Sequence, residues 1–173
     1  MRKASLFLII LVLAFTVLLC GCESDKGNNN TNTNTNNSAS NAVRSDVRPQ
    51  EIALAVMAEV EIPSAAEKKV DDIQFFISEL DTENIKEMSY HICASGAYPD
   101  ELLIIEFYSD TQAKAARTAV LNRLNSRKDD FADYAPAEMY KFDDAATDVV
   151  GEWLFFYITR NNTKVKEIIS SYF

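Results

Sequence analysis

Residues 101–116, ELLIIEFYSDTQAKAA, and residues 152–167, EWLFFYITRNNTKVKE, align without a gap, and their shared pattern decides the fold. Each opens on an acidic residue, runs through a strongly apolar stretch and passes into a polar helix start. In the first, Ser109-Asp110-Thr111-Gln112 reads as a capping box, so a strand at 101–108 is followed by a helix to about Arg127, with Ala113, Ala116, Val120, Leu121 and Leu124 inward. In the second, Asn161 or Asn162 caps a last helix with Val165, Ile168, Ile169 and Tyr172 inward. Few residues are identical, so the repeat is one of topology. Upstream of the first copy, EMSYHICA (87–94) alternates, with Met88, Tyr90 and Ile92 on one face and Ser89, His91 and Cys93 on the other. Gly96 and Pro99 then turn the chain into 101–108. Upstream of the second copy, DAATDVV (144–150) leads through Gly151 into 152–159. The body from residue 48 contains no glycine besides Gly96 and Gly151, and each sits where a hairpin must turn.

Before the first hairpin, Pro49 followed by QEIALAVMAEVEI predicts a helix with Ile52, Val56, Met57 and Val60 on one stripe, ended by Pro63. Val70, Ile73, Phe76 and Ile77 predict a shorter second helix or helical turn, and residues 128–143 read as an acidic and aromatic connection. The expected product is an α+β fold, a four-stranded, mostly antiparallel sheet with helices packed on it, in the order ααββαββα. The 110–127 and 161–172 helices are expected on one sheet face, the 49–62 and 70–79 segments on the other.

The N-terminal third reads differently. Arg2 and Lys3 precede ASLFLIILVLAFTVLL (4–19), an uncharged run shorter than the roughly 20 residues of a spanning helix but suited to a signal-peptide core. It ends in Leu19-Cys20-Gly21-Cys22, the pattern of a bacterial lipobox, in which small Gly21 precedes the lipid-bearing Cys22. Residues 1–21 are thus expected to leave as a lipoprotein signal peptide, which takes the formal charge from −9 to −11. Residues 22–47 form the lipidated Cys22 and a linker; 13 of the 15 residues in GNNNTNTNTNNSASN (27–41) are Asn, Thr or Ser, with nothing to bury. A 25-residue coil of this kind reaches about 25–30 Å. Residues 48–173 form a single globular domain, whose only cysteine is Cys93, so the mature chain has no intramolecular disulfide. An acidic body without a basic run argues against nucleic acid as a partner.

The lipobox, the polar linker and the body together resemble a lipoprotein family of clostridial-type Gram-positive bacteria labelled only as a domain of unknown function. The resemblance is carried by Asp100-Glu101 leading into the Leu102–Phe107 strand, the capped helix from Asp110, the run Phe131-Ala132-Asp133-Tyr134-Ala135-Pro136-Ala137-Glu138, and Gly151. Where the family often has a basic residue at the end of the second strand, this chain has Glu106, Phe107 and Tyr108. The resemblance implies a surface lipoprotein and brings no catalytic residues.

Candidate chemistry is sparse. His91 is the only histidine; Ser89 and Cys93 share its strand face, but residues two apart on a strand lie about 6–7 Å apart, too far for a nucleophile–base pair. Asp129, Asp130, Asp133, Asp143, Asp144 and Asp148 flank one connection and raise the question of calcium, yet their spacing resembles no calcium loop. One histidine and one free cysteine assemble no zinc site, and no phosphate loop or dinucleotide fingerprint is present. No metal, cofactor or catalytic residue is therefore expected. Carboxylate pairs such as Glu101 and Glu106 are the sole basis for a wall-polymer hydrolase. The aromatic content points elsewhere: Trp153, Phe155 and Tyr157 share one face of the last strand, a candidate binding surface if the sheet is left partly open there. The expected function is a non-enzymatic module, held on the extracytoplasmic face of the membrane by lipid on Cys22, that binds an envelope protein or wall component. A small-ligand or metal-ion capturing accessory lipoprotein is the alternative.

Overall fold

β3 (Glu101–Phe107) and β5 (Trp153–Ile158), the two apolar runs of the repeat, lie side by side in the middle of the sheet, and every residue in both is buried. A strand apolar on both faces is stable only where both faces are covered, which places these two at the centre. The structure, a computed structural model, describes residues 46–173; the expected signal peptide, Cys22 and the expected linker up to residue 45 lie outside the described residues. β2 (Ile85–Cys93) and β4 (Ala146–Val150) flank the central pair, and every pairing is antiparallel. Gly151, with φ of +58°, turns β4 into β5, a conformation that costs glycine little.

The sheet has five strands rather than four. β1 (Ala65–Lys68) pairs with the outer edge of β2, giving the order β1-β2-β3-β5-β4. Its sequence, AAEK, has no apolar alternation to read; it is a short edge strand bearing charges, the form that resists pairing with further chains. The element order also differs in detail. α1 spans Pro49–Glu59; Val70–Phe75 is a 3₁₀ helix rather than an α-helix; and α2 runs from Asp110 to Tyr134, beyond the expected end at Arg127. Phe131 carries the inward stripe of α2 two turns beyond Leu124 and is buried, while Asp129, Asp130 and Asp133 occupy its exposed side. Ala135 precedes Pro136, where the α-helical conformation is disfavoured, and the chain continues as a 3₁₀ helix, Pro136–Phe142. Ser109 caps α2 by accepting from Gln112 N, and Asn161 caps α3 (Asn162–Ser170) by accepting from Lys164 N.

The helices cover the sheet in a different partition from the expected one. α1 and α3 share one face, where Ile52, Ala53, Val56, Val165 and Ile169 pack on Leu102, Ile104, Trp153, Phe155 and Tyr157. α2 and the 70–80 segment cover the other, where Val120, Phe131, Ile73, Ile77 and Leu80 pack on Tyr90, Leu103, Ile105, Leu154 and Phe156. The sequence shows that both faces need covers; it does not say which helix goes to which.

Asn162 joins three segments below α3. Its Oδ1 accepts from Thr159 N (2.8 Å) and Thr159 Oγ1 (3.0 Å), and its Nδ2 donates to the carbonyls of Lys141 and Asp143, each at 2.8 Å. Alanine here strands buried polar partners, each costing about 1–3 kcal/mol when unsatisfied. Asn162→Ala is expected to lose about 2–3 kcal/mol in urea unfolding. A loss within 0.5 kcal/mol, about the level of ordinary surface substitutions, would show these bonds to be dispensable.

Candidate functional site

Thr163, Lys166, Ile169, Ser170 and Phe173 recur along one side of the C-terminal helix and tail, and that side faces the edge strand β4. On this face α1 packs on β2 and β3, and α3 packs on β5. β4 projects beyond them, and between it and α3 lies a groove of about 450 Å³. Asp148, Val149 and Val150 form the strand wall, Lys166, Ile169 and Ser170 the helix wall, and Phe155 and Tyr157 the floor, with Phe173 at one end. A second cavity of about 370 Å³ shares Tyr157 and Lys166 and continues the groove past Asp144, Ala146, Asn162 and Thr163. The volume suits a small ligand or a few residues of a peptide.

Tyr157 OH lies 3.5 Å from Asp148 Oδ2 and is oriented to donate to it. Burial, then the Asp148 carboxylate, push the phenol's pKa up, so it keeps its proton and remains a donor. The register places Asp148 opposite Phe155 and Ala146 opposite Tyr157, on the same sheet face as the aromatic floor. On the opposite side of β4, Arg117 from α2 donates to the Thr147 carbonyl (3.0 Å), which partly caps the strand's outer edge.

Of the three aromatics singled out from the sequence, Phe155 and Tyr157 line the groove and Trp153 does not. Trp153 stacks on Phe155 at 6.3 Å with rings 5° from parallel, and the Phe173 ring meets both edge-on at 5.5 and 5.2 Å. Trp153, Phe155 and Tyr157 are almost fully buried, so the face is a packed core with a groove at its border, not an open aromatic patch.

Ser89 and His91 do meet, contrary to the strand-spacing expectation: Ser89 Oγ lies 3.0 Å from His91 Nε2 because both side chains lean along β2 toward one another. Ser89 gives its hydroxyl proton to Gln50 Oε1 of α1 (2.8 Å), which assigns the His91 Nε2 proton as the donor to Ser89. That polarity is the reverse of a nucleophile–base pair, and both residues are buried beneath α1. Burial lowers the His91 pKa from its ordinary 6.5, against the opposing pull of Glu67 on β1. The neutral ring is therefore the folded form. As pH falls through 6.5 the unfolded chain takes up this proton first, and stability drops until the lowered folded pKa is reached. The melting temperature is expected to fall from pH 7.5 to 5, with a shallower fall in His91→Gln. Equal slopes in the two proteins would refute this.

Cys93 does not pair with His91; its Sγ lies 3.2 Å from Ser95 Oγ. Burial pushes the thiol up, but the Ser95 hydroxyl and the backbone N–H groups of Tyr98, Ser95 and Gly96 outweigh it and bring its pKa below the ordinary value.

The carboxylates disperse. Asp129, Asp130 and Asp133 lie along α2, Asp143 and Asp144 precede β4, and Asp148 is in the groove; among the described residues no three metal-ligating side chains gather. Glu101 and Glu106 stand an odd number of residues apart on β3, on opposite sheet faces. Glu101 meets α2 through Arg123 and Arg127, and Glu106 meets Lys86 at 2.6 Å. They cannot flank one glycosidic bond.

A buried ionic cluster at the end of the sheet leaves only a faint trace in the sequence. Lys141 Nζ lies 2.6 Å from Asp100 and 2.8 Å from Glu138, under the Tyr98 ring at 4.8 Å. Burial works against the Lys141 ammonium, but the two carboxylates outweigh it and raise its pKa. The readable sign was Asp100-Glu101 at the mouth of an apolar strand, two charges buried where alternation offers no solvent face.

The site thus defines an α+β domain with a five-stranded antiparallel sheet and a groove between its edge strand and last helix. Residues 66–159 match the family described as "Domain of unknown function (DUF4358)", and the chain belongs to that family. The match takes in β2 to β5 and α2 but stops short of α1 and α3, so the helix wall of the groove lies outside it. No curated protein and no solved structure matches the chain significantly. No helix among the described residues is long and apolar enough to cross a membrane.

Proposed function

We propose that the chain is a non-enzymatic binding module of the bacterial cell envelope, held on the extracytoplasmic face of the membrane by lipid on Cys22, with the β4–α3 groove as its binding site. The observation that carries the binding reading is the groove itself, which pairs an apolar floor with a few polar groups, the usual character of ligand sites. The anchor is supported by the uncharged run 4–19, the Leu19–Cys22 pattern and the polar linker. Two or three acyl chains, at about 0.8 kcal/mol per buried methylene, hold a protein on the membrane without a spanning helix.

Two experiments test this reading. Cells of a Gram-positive host expressing the full chain and fed an alkyne-tagged fatty acid are expected to label it, and Cys22→Ala to abolish the label and release the protein to the medium. An unlabelled wild type would overturn the anchor. The binding half is tested by thermal shift of the full-length protein in detergent against amino acids, short peptides, sugars, wall fragments and divalent metals. A ligand at one hundred times its dissociation constant stabilises by about 2.7 kcal/mol. That corresponds to a rise of roughly 8–14 °C in a domain of this size, and Val150→Glu in the groove wall is expected to remove it. Shifts that survive Val150→Glu would place binding elsewhere.

A further inference from the structure

The groove sets opposite charges on opposite walls. Asp148 stands on β4 and Lys166 on α3, and among the described residues neither has an ion-pair partner. This is unusual for α3, where the neighbouring Lys164 reaches Glu59 at 2.9 Å and Glu167 at 3.9 Å. The loose 3.5 Å contact from Tyr157 leaves the Asp148 carboxylate with further acceptor capacity. Beyond the two charges the groove turns apolar, bounded by Val150, which is 43% exposed, and by Ile169 and Phe173.

A simple anion entering this groove meets Lys166 but also Asp148 and Asp144, and a simple cation meets Lys166 as a like charge. A neutral sugar leaves both charges uncompensated as it displaces their water. A zwitterion satisfies both walls at once, its carboxylate toward Lys166 and its ammonium toward Asp148 and away from the phenol proton. Resting on the binding reading above, we propose that the groove takes an α-amino acid, free or as a short peptide, with an apolar side chain of leucine to phenylalanine size. The side chain lies against Val150, Ile169 and Phe173, and a cavity of about 450 Å³ accommodates it. The adjoining cavity past Asp144, Asn162 and Thr163 gives room for a second residue.

Trp153 supplies the readout. It is the only tryptophan, and its ring packs on Phe173, which lines the groove, so occupancy is expected to change its emission. Full-length protein in detergent is titrated with leucine, phenylalanine, a leucine dipeptide, leucinamide, N-acetylleucine and N-acetylglucosamine. Leucine or phenylalanine, or the dipeptide alone if the source is a peptide, is expected to saturate the signal. Leucinamide and N-acetylleucine are each expected to bind at least tenfold more weakly. Lys166→Met is expected to weaken leucine at least tenfold while leaving leucinamide, which lacks the carboxylate, unchanged; Asp148→Asn does the same with respect to N-acetylleucine. Both positions are partly or fully exposed, so folding is not at stake. Saturation by N-acetylglucosamine with inert amino acids overturns the ligand class and leaves the groove as a binding site. Equal binding of leucine and its two singly charged derivatives also overturns the class. A flat response to every ligand here and in the wider thermal-shift panel overturns both readings.

Discussion

Glu101→Ala is expected to destabilise the domain by about 3–5 kcal/mol, the range measured when one partner of a buried ion pair is removed. The Glu101 side chain is 1% exposed and serves three partners. Arg123 Nη2 lies 2.6 Å from Oε1, Arg127 Nε lies 2.8 Å from the same oxygen, and Tyr90 OH donates to Oε2 at 3.0 Å. Burial and the carboxylate push the Tyr90 phenol's pKa up, so that hydroxyl keeps its proton and needs an acceptor. Alanine leaves two mostly buried guanidiniums without their carboxylate and the buried Tyr90 hydroxyl without its acceptor; Arg127 keeps only the Tyr98 carbonyl, at 3.4 Å from its Nη2. Their cation–π contacts, Arg127 over Phe131 at 4.5 Å and Arg123 over Phe76 at 5.8 Å, stabilise each by only about 0.5–2 kcal/mol and do not offset the loss. A domain of this size loses roughly 3–5 °C per kcal/mol, so the melting temperature should fall by at least about 10 °C. Glu101→Gln keeps two acceptor lone pairs and the shape, and should cost less. The triple replacement of Glu101, Arg123 and Arg127 by Met should recover much of the loss, because it removes the charges together. A Glu101→Ala loss below 1 kcal/mol would show that water or rearrangement satisfies the arginines.

This cluster also marks the limit of what the sequence discloses. Strand and turn chemistry were legible because they are local: Gly96 and Gly151 stand at the two hairpin turns, Ser109 and Asn161 cap the helices they precede, and the doubly apolar runs at 101–107 and 153–158 become the central strands. β1 was not legible, since four residues of an edge strand bury too little to leave a pattern. The last two turns of α2 were hidden by acidic residues on its solvent side, although Phe131 kept the inward spacing. Tertiary choices were out of reach in principle. Nothing local tells α1 to share a face with α3, tells Lys141 to reach Asp100 41 residues away, or tells Ser89 to lean toward His91. The groove was legible in half: period-two alternation put Phe155 and Tyr157 on one face, but the helix wall needs the placement of α3 over β5 with β4 left projecting.

The same alternation grouped Trp153 with the groove residues, and its substitution separates a core role from a binding one. Trp153→Ala is expected to cost about 3–5 kcal/mol, the range for deleting a buried aromatic side chain. The indole is 2% exposed, stacks on Phe155 and receives the Phe173 ring edge-on, so its removal opens a cavity walled by two other aromatics. Partial collapse of Phe173 into that space would place the loss at the low end of the range, because Phe173 is only half-buried. Trp153→Phe keeps an aromatic ring in the stack and should cost only about 1–2 kcal/mol, which is less than half the alanine value. An exposed docking residue behaves in the opposite way: surface substitutions stay within about 0.5 kcal/mol, and binding is lost instead. Urea unfolding followed by far-UV circular dichroism, which does not depend on the tryptophan, distinguishes the two. A small stability loss together with lost ligand binding would return Trp153 to the binding surface. A large loss, with Trp153→Phe still binding the groove ligand, would assign it to the floor beneath Phe155 that holds the groove's shape.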